Sequence, residues 1–260
     1  MPILWEVQGN LGIALIDRPE RRNALNGELC TELLARLREH DALGAVVIGG
    51  TGDRAFCAGA DLGRRAVDTE AGSLEHGGSD TFRPAFEALL DRIVDYPAPV
   101  IAAVNGAALG AGMQLAVACD LRVVAPGARF GIPAGRLGVI ISTANVRRLV
   151  LTVGQATARD VLLTARTLDV DDAERVGLVQ RRASDALTGA TALADDVARL
   201  APLSIGGHKR SLNAVAATST IGASDLEELG RREAEAFASR DLQEGLSAFA
   251  EKRPPIFEGR

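Results

Sequence analysis

The chain has 260 residues, 47% of them hydrophobic, enough for one large folded unit with a substantial core. Its 29 basic and 34 acidic residues give a formal charge of −5. That balance excludes a general nucleic-acid binder, which needs surplus cations to neutralise phosphates. Local pairs such as Arg21-Arg22 and Lys252-Arg253 remain available to a small anionic ligand.

In chain order, "ILWEVQ" and "LGIALID" predict two strands around a Gly-Asn turn at 9–10. "GELCTELLARLREH" places Leu29, Leu33, Leu34 and Leu37 at helical spacing. "GAVVIGG" predicts a short buried strand, and "TGDRAFCAGADLG" a glycine-rich loop. Residues 63–80 are polar, glycine-rich near their end, and predict a flap. A helix over about 82–95, a strand at 99–104 and a helix of small residues follow. "LRVVAP" predicts another strand, and from 143 onward the pattern is mainly helical, with one strand-like piece at "GLVQRRA". The order predicts a mixed α/β core over 1–195 and a helical region over 196–260.

Residues 97–119 carry no charge and are long enough to cross a bilayer. Three glycines, two prolines and an Asn-Gly pair interrupt them, so a buried strand, a turn and a buried helix are expected instead of a membrane span. "MPILWEVQGN" has no basic region before an apolar run, so no signal peptide is expected. Cys30, Cys57 and Cys119 have no CxxC spacing and leave an odd count. They read as buried thiols of a cytoplasmic protein. His40, His76 and His208 are widely separated and expected at the surface, and no metal site is expected.

Two small-residue segments carry the chemistry: "FCAGADL" (56–62) and "NGAALGAG" (105–112). Each can expose backbone N–H groups where side chains would otherwise intrude. The second opens a helix, whose free N–H groups and positive dipole end favour negative charge. Two such groups converging from separate segments make an oxyanion hole. The competing reading is close packing of small residues in a core. No GK[ST] follows the glycines and no GxGxxG is present, so neither a phosphate loop nor a dinucleotide fold is expected.

"DRPERRNALN" (17–26), "FCAGADL", "PVIAAVNGAALGAG" (99–112), "LAVACDLRVVAPGARFGIP" (115–133) and "EKRPPIF" (251–257) occur in that order. Together they resemble the crotonase (enoyl-CoA hydratase/isomerase) superfamily along nearly the whole chain. The resemblance implies a spiral of ββα units and C-terminal helices that build a homotrimer or hexamer. It implies an acyl-CoA or enoyl-CoA ligand, fatty-acid metabolism, lyase chemistry where active, and no cofactor. The N–H groups of Ala60 and Ala111 match the two donors that hold the thioester oxygen. Arg21, Arg22 and Ala24 match the segment that curls around CoA, with Ala58, Asp61 and Leu62 along the same path. Phe249 and Lys252 match C-terminal residues that reach the CoA moiety.

The departures bear on activity. Hydratases of the superfamily place two glutamates on opposite sides of a water, where this chain has Gln114 and Ala134. Hydration needs a base for the water and an acid for the α-carbon. Gln114 can hold a water but cannot take its proton, and Ala134 can do neither. Where other members have an aspartate, this chain has Ser142, with Arg136, Thr143 and Asn145 nearby. Flap residues Asp68, Glu70 and Glu75 could reach inward. Two readings stand. One is an acyl-CoA-binding protein with little or no hydration, similar to actinobacterial members that lack both glutamates, with Ile140 among the residues suiting an apolar tail. The other is an enoyl-CoA hydratase/isomerase with a displaced acid or base. A weaker third is a partner protein whose surface carries the function.

Overall fold

A computed structural model describes residues 2–61, 81–136 and 141–217, and beyond them 224, 227, 228, 231, 239–241, 244, 251, 253, 255, 256 and 258–260. The side chain of Arg136 is not among the described groups. Leu62, Phe249, Lys252, Ile140, His76 and the flap carboxylates lie outside the described residues.

Strands β1 (Ile3–Gln8) and β2 (Leu11–Ile16) form an antiparallel hairpin across Gly9 and Asn10. Gly9 takes φ +60, which glycine adopts without the Cβ penalty. Helix α1 (Gly27–Glu39) starts at Asn26, whose Oδ1 accepts the Leu29 N–H at 3.0 Å. It buries the leucines whose spacing predicts it: Leu29, Leu33, Leu34 and Leu37.

Three ββα units follow, each giving one strand to each of two sheets. The first is β3 (Ala45–Gly50), β4 (Ala55–Cys57) and α2 (Phe82–Val94). The second is β5 (Val100–Val104), β6 (Ala107–Leu109) and α3 (Ala111–Ala118). The third is β7 (Leu121–Val124), β8 (Arg129–Gly131) and α4 (Thr143–Thr164), which bends at Gly154, φ +75. Then come β9 (Thr167–Leu168), α5 (Val170–Arg175), β10 (Arg181–Arg182), α6 (Ala186–Ala198) and α7 (Pro202–Ala217). The larger sheet runs β1-β2-β3-β5-β7-β10 and the smaller β4-β6-β8-β9. The α/β fold of ββα units expected from the sequence is the one observed.

β3 and β5 are covered on both faces, which is why they read as unbroken apolar runs. One face carries the main core with α1 to α4. The other is closed by α6, whose Ala186, Ala190 and Ala194 let the helix approach closely. Residues 97–119 resolve into β5, β6 and α3, and no helix among the described residues is long and apolar enough to cross a membrane.

Some expectations need correction. The loop predicted over 51–63 contains β4, and the small-residue stretch between the strand at 99–104 and the following helix, expected as a glycine turn, contains β6. Three residues are too few to show a period. β8 and β9 escape the sequence for the same reason, and the piece at 177–183 shrinks to β10. His40 is half-buried and stacked on Trp5 with ring centroids 5.1 Å apart, because the end of α1 lies over the first hairpin. His208 is exposed.

Two buried cations join the elements. Arg122 donates to the carbonyls of Ala116 (3.0 Å), Cys119 (2.8 Å) and Asp120 (3.2 Å), and to that of Leu178. It thus satisfies carbonyls at the C-terminal end of α3, where the helix dipole favours positive charge. Lys209 on α7 donates to the Ile93 and Ala98 carbonyls, each at 3.1 Å, and to Asp120 Oδ2 at 2.7 Å.

Candidate active site

The site begins with a backbone seam. The Ala58 N–H donates to the Arg22 carbonyl (3.0 Å), Leu25 N–H to the Gly59 carbonyl (2.9 Å), and Asp61 N–H to the Leu25 carbonyl (2.7 Å). This brings Arg21, Arg22 and Ala24 beside Ala58, Ala60 and Asp61. Leu25 pairs with Ala60 as a parallel bridge. In that geometry the flanking residues 59 and 61 bond to Leu25, and the Ala60 N–H faces the other way.

The residues holding residues 18–25 in place are Asn23 and Arg18. Arg22 and Asn23 take φ +51 and +57. Asn tolerates that region better than most residues. Asn23 is fully buried: Oδ1 accepts the Arg18 N–H (3.0 Å), and Nδ2 donates to the carbonyls of Thr51 (2.9 Å) and Ala55 (2.7 Å). Arg18 donates to the Ala24 carbonyl at 2.9 Å and to Asp61 Oδ2 at 2.8 Å, and Arg21 reaches the same oxygen at 3.1 Å. Asp61 therefore fastens the segment, while the side chains of Arg21 and Arg22 stay exposed. Sequence reasoning missed Arg18 and Asn23 as positioning residues. The signal was Asn23, a polar residue just before the apolar Ala24 and Leu25.

Strand β4 pairs in parallel with β6, so the chain after β4 meets the start of α3. A β-carbon on Gly59 would sit 3.3 Å from the Leu109 carbonyl oxygen and 4.0 Å from Ala111 N. One on Gly110 would sit 3.7 Å from Gly59 Cα. The two backbones run close together just before Ala60 and Ala111, with room for little more than a β-carbon between them. Gly110 takes φ +55 and ψ −114, a conformation open to glycine, and its N–H donates to the Gly131 carbonyl at 2.8 Å. Ala111 is the first residue of α3, where N–H groups have no partner within the helix.

Gln114 is half-buried one turn into α3. Its Nε2 donates back to the Gly110 carbonyl at 3.2 Å. Ala134 lies in a 3-10 turn, Pro133–Arg136, three residues past the strand that holds Gly110. It is half-buried against the main core. Ser142 caps α4, its Oγ accepting the Asn145 N–H at 3.3 Å. Buried Asn145 donates to Glu87 Oε1 at 3.0 Å and accepts from Arg148 Nη1 at 2.6 Å. Glu87 is a carboxylate near this end of α4 that the sequence did not single out. Burial pushes the Cys57 thiol up to about 12, so at neutral pH it is protonated and no nucleophile. Among the described residues, no three His, Cys, Asp or Glu side chains cluster as a metal site.

The geometry sits in a chain with close relatives. Residues 6–260 match the family model described as enoyl-CoA hydratase/isomerase. The Mycobacterium tuberculosis protein named "Probable enoyl-CoA hydratase echA8" is 38% identical over 263 residues, covering 99% of this chain and 98% of that protein. Among solved structures, an enoyl-CoA hydratase/carnithine racemase from Magnetospirillum magneticum superposes with a TM-score of 0.88 at 28% identity, over 100% of this chain and 96% of that one. An enoyl-CoA hydratase from Bacillus anthracis gives 0.87 at 27%, over the full length of both. With the model spanning nearly every residue and the fold shared end to end, this chain belongs to the enoyl-CoA hydratase/isomerase family.

Proposed function

We propose that this chain binds the thioester of an acyl-CoA or enoyl-CoA and carries out little or no hydration. The thioester oxygen accepts hydrogen bonds from the N–H groups of Ala60 and Ala111. The CoA end lies along Arg21, Arg22, Ala24, Ala58 and Asp61, completed by Leu62, Phe249 and Lys252. The observation that supports the reading is the close approach of the Gly59 and Gly110 backbones, each one residue before a proposed donor. Backbone donors aimed at a carbonyl oxygen in a site with little water polarise it strongly.

Hydration fails for want of proton transfer. Gln114 stands at one glutamate position with its amide turned onto Gly110, and Ala134 has only a methyl group to offer. Ser142 and Glu87 are engaged in holding α4. Each missing acid–base group costs typically about 10²–10⁴-fold, and the two act as a unit, so the losses do not multiply. The protein is then a holder of acyl-CoA within fatty-acid metabolism, with no resident cofactor. Its three unpaired, buried cysteines suit a reducing cytoplasm.

The oligomer belongs to the same reading. A groove of about 660 Å³ runs between α4, α7 and the C-terminal end of α3, and Leu151 and Leu212 stand exposed along it. Copies of the chain in a homotrimer or hexamer would cover such an apolar face. A second reading, an enoyl-CoA hydratase/isomerase with a displaced acid or base, is favoured by the activity in the relatives' names.

The test is equilibrium binding of crotonyl-CoA and of free CoA, with hydration followed in the same samples. Tighter binding of the thioester without turnover supports the holder. Turnover supports the displaced base. Absence of any binding at millimolar thioester removes both.

A further inference from the structure

We propose that Gln114 is a positioning residue, whose side-chain amide fixes and polarises the Gly110–Ala111 peptide that presents one of the two thioester donors. The inference rests on the acyl-CoA reading above and extends it from the donor to what holds the donor.

The Gly110 carbonyl oxygen accepts twice from Gln114, from the backbone N–H at 3.2 Å and from Nε2 at 3.2 Å. The first is the opening bond of α3. The second is additional, made by the side chain curling back one turn. In a planar trans peptide the C=O and the following N–H point in opposite directions. Pinning the Gly110 oxygen from inside the helix therefore aims the Ala111 N–H out of its N-terminal end.

The pin matters because of what it pins. Gly110 is the residue before the helix, it makes no side-chain cap, and it holds a conformation closed to other residues. Glycine is also the residue with the most freedom to leave it. Its N–H is tied to the Gly131 carbonyl at 2.8 Å, and Gln114 ties its other end. A carbonyl that accepts two bonds also draws charge from its own peptide, so the attached N–H becomes the stronger donor. Such cooperative strengthening is about 10–30% per bond in condensed phases. An ionised glutamate at 114 has no hydrogen to donate and would oppose its charge to the Gly110 oxygen. The amide thus gives up acid–base chemistry and serves the thioester carbonyl through Ala111.

The experiment uses cinnamoyl-CoA, an enoyl thioester whose chromophore is conjugated with its carbonyl. It is bound to the wild-type protein, to Gln114→Met, which keeps the volume and donates nothing, and to Gln114→Leu, which also has no donor to offer Gly110. Raman difference spectra read the thioester C=O stretch, absorbance reads the chromophore, and equilibrium dialysis reads affinity. The expected result is a lowered stretch and red-shifted absorbance on the wild type. In both variants binding persists and the shift is smaller than on the wild type, because the Ala111 donor is weakened by about 10–30%. Should one variant fail to fold, the other decides. A full wild-type shift in a folded variant overturns the role of Gln114 and leaves the acyl-CoA reading standing. Binding to the wild type without any shift overturns both, because neither backbone donor is then engaged.

Discussion

Gly112 lies flush against Cys57. A β-carbon on the glycine would overlap the Cys57 carbonyl oxygen and sit 2.9 Å from Cys57 Cβ. That contact sets how closely α3 approaches β4, and so how closely Ala111 approaches Ala60. Gly112→Ala forces the two apart, and inserting a methyl into such a seam costs about 1–3 kcal/mol. Urea unfolding should show the loss of stability, and titration should show thioester binding falling more than binding of free CoA. Thioester affinity equal to that of the wild type would separate the α3–β4 spacing from the site.

Asn23 makes a second test, of the segment proposed to face CoA. Asn23→Ala removes three hydrogen bonds from a fully buried position and leaves the carbonyls of Thr51 and Ala55 without this donor. Unsatisfied buried groups cost about 1–3 kcal/mol each. Thermal denaturation should show the loss, and free CoA should bind more weakly because Arg21 and Arg22 are no longer held. Unchanged CoA affinity would place the CoA path elsewhere.

Lys209 joins α7 to the sheet through Asp120, and is only 7% exposed. Burial raises the Asp120 pKa, and the Lys209 charge opposes that rise. Lys209→Met leaves the half-buried Asp120 carboxyl without this cation, which costs up to about 3–5 kcal/mol. Lys209→Met with Asp120→Asn should recover a large part of that loss. A single variant as stable as wild type would mean that α7 is held by its other contacts.

The thiols predict a pH dependence. Burial pushes Cys30, Cys57 and Cys119 from 9.0 to about 12. Between those values the unfolded chain releases the thiol protons and the folded chain keeps them. Stability therefore falls as pH rises through that window, by up to about 1.4 kcal/mol per pH unit for each thiol. Iodoacetamide at pH 8 should leave all three unmodified until the protein is unfolded. Fast modification of the native protein would contradict the burial.

The sequence revealed some of this and concealed the rest for physical reasons. Leu29, Leu33, Leu34 and Leu37 announce α1 by their spacing, and β3 and β5 announce double-sided burial by unbroken apolar runs. β4, β6, β8 and β9 have two or three residues each and no period to read. Their positions follow from pairing with strands far along the chain. The small residues around Gly59 and Gly110 could be read as a close approach, but not the Nε2 bond of Gln114, because a rotamer leaves no trace in a pattern. Asn23 bonds to a carbonyl 32 residues away, and Asn145 to a carboxylate 58 residues away. Partners at such separations come from topology.

The most direct measurement is crotonyl-CoA hydration by the wild type and by the double variant Gln114→Glu, Ala134→Glu, at protein concentrations near that of substrate. On the inference above, losing the Gln114 bond to Gly110 weakens one of the two proposed donors, by about 10–30%. Restored proton transfer is worth about 10²–10⁴-fold and decides the sign. The predicted result is thioester binding with negligible turnover by the wild type, and hydration at least about 10²-fold faster by the double variant. Wild-type turnover that the two glutamates fail to improve would show that a different residue already supplies the acid and base.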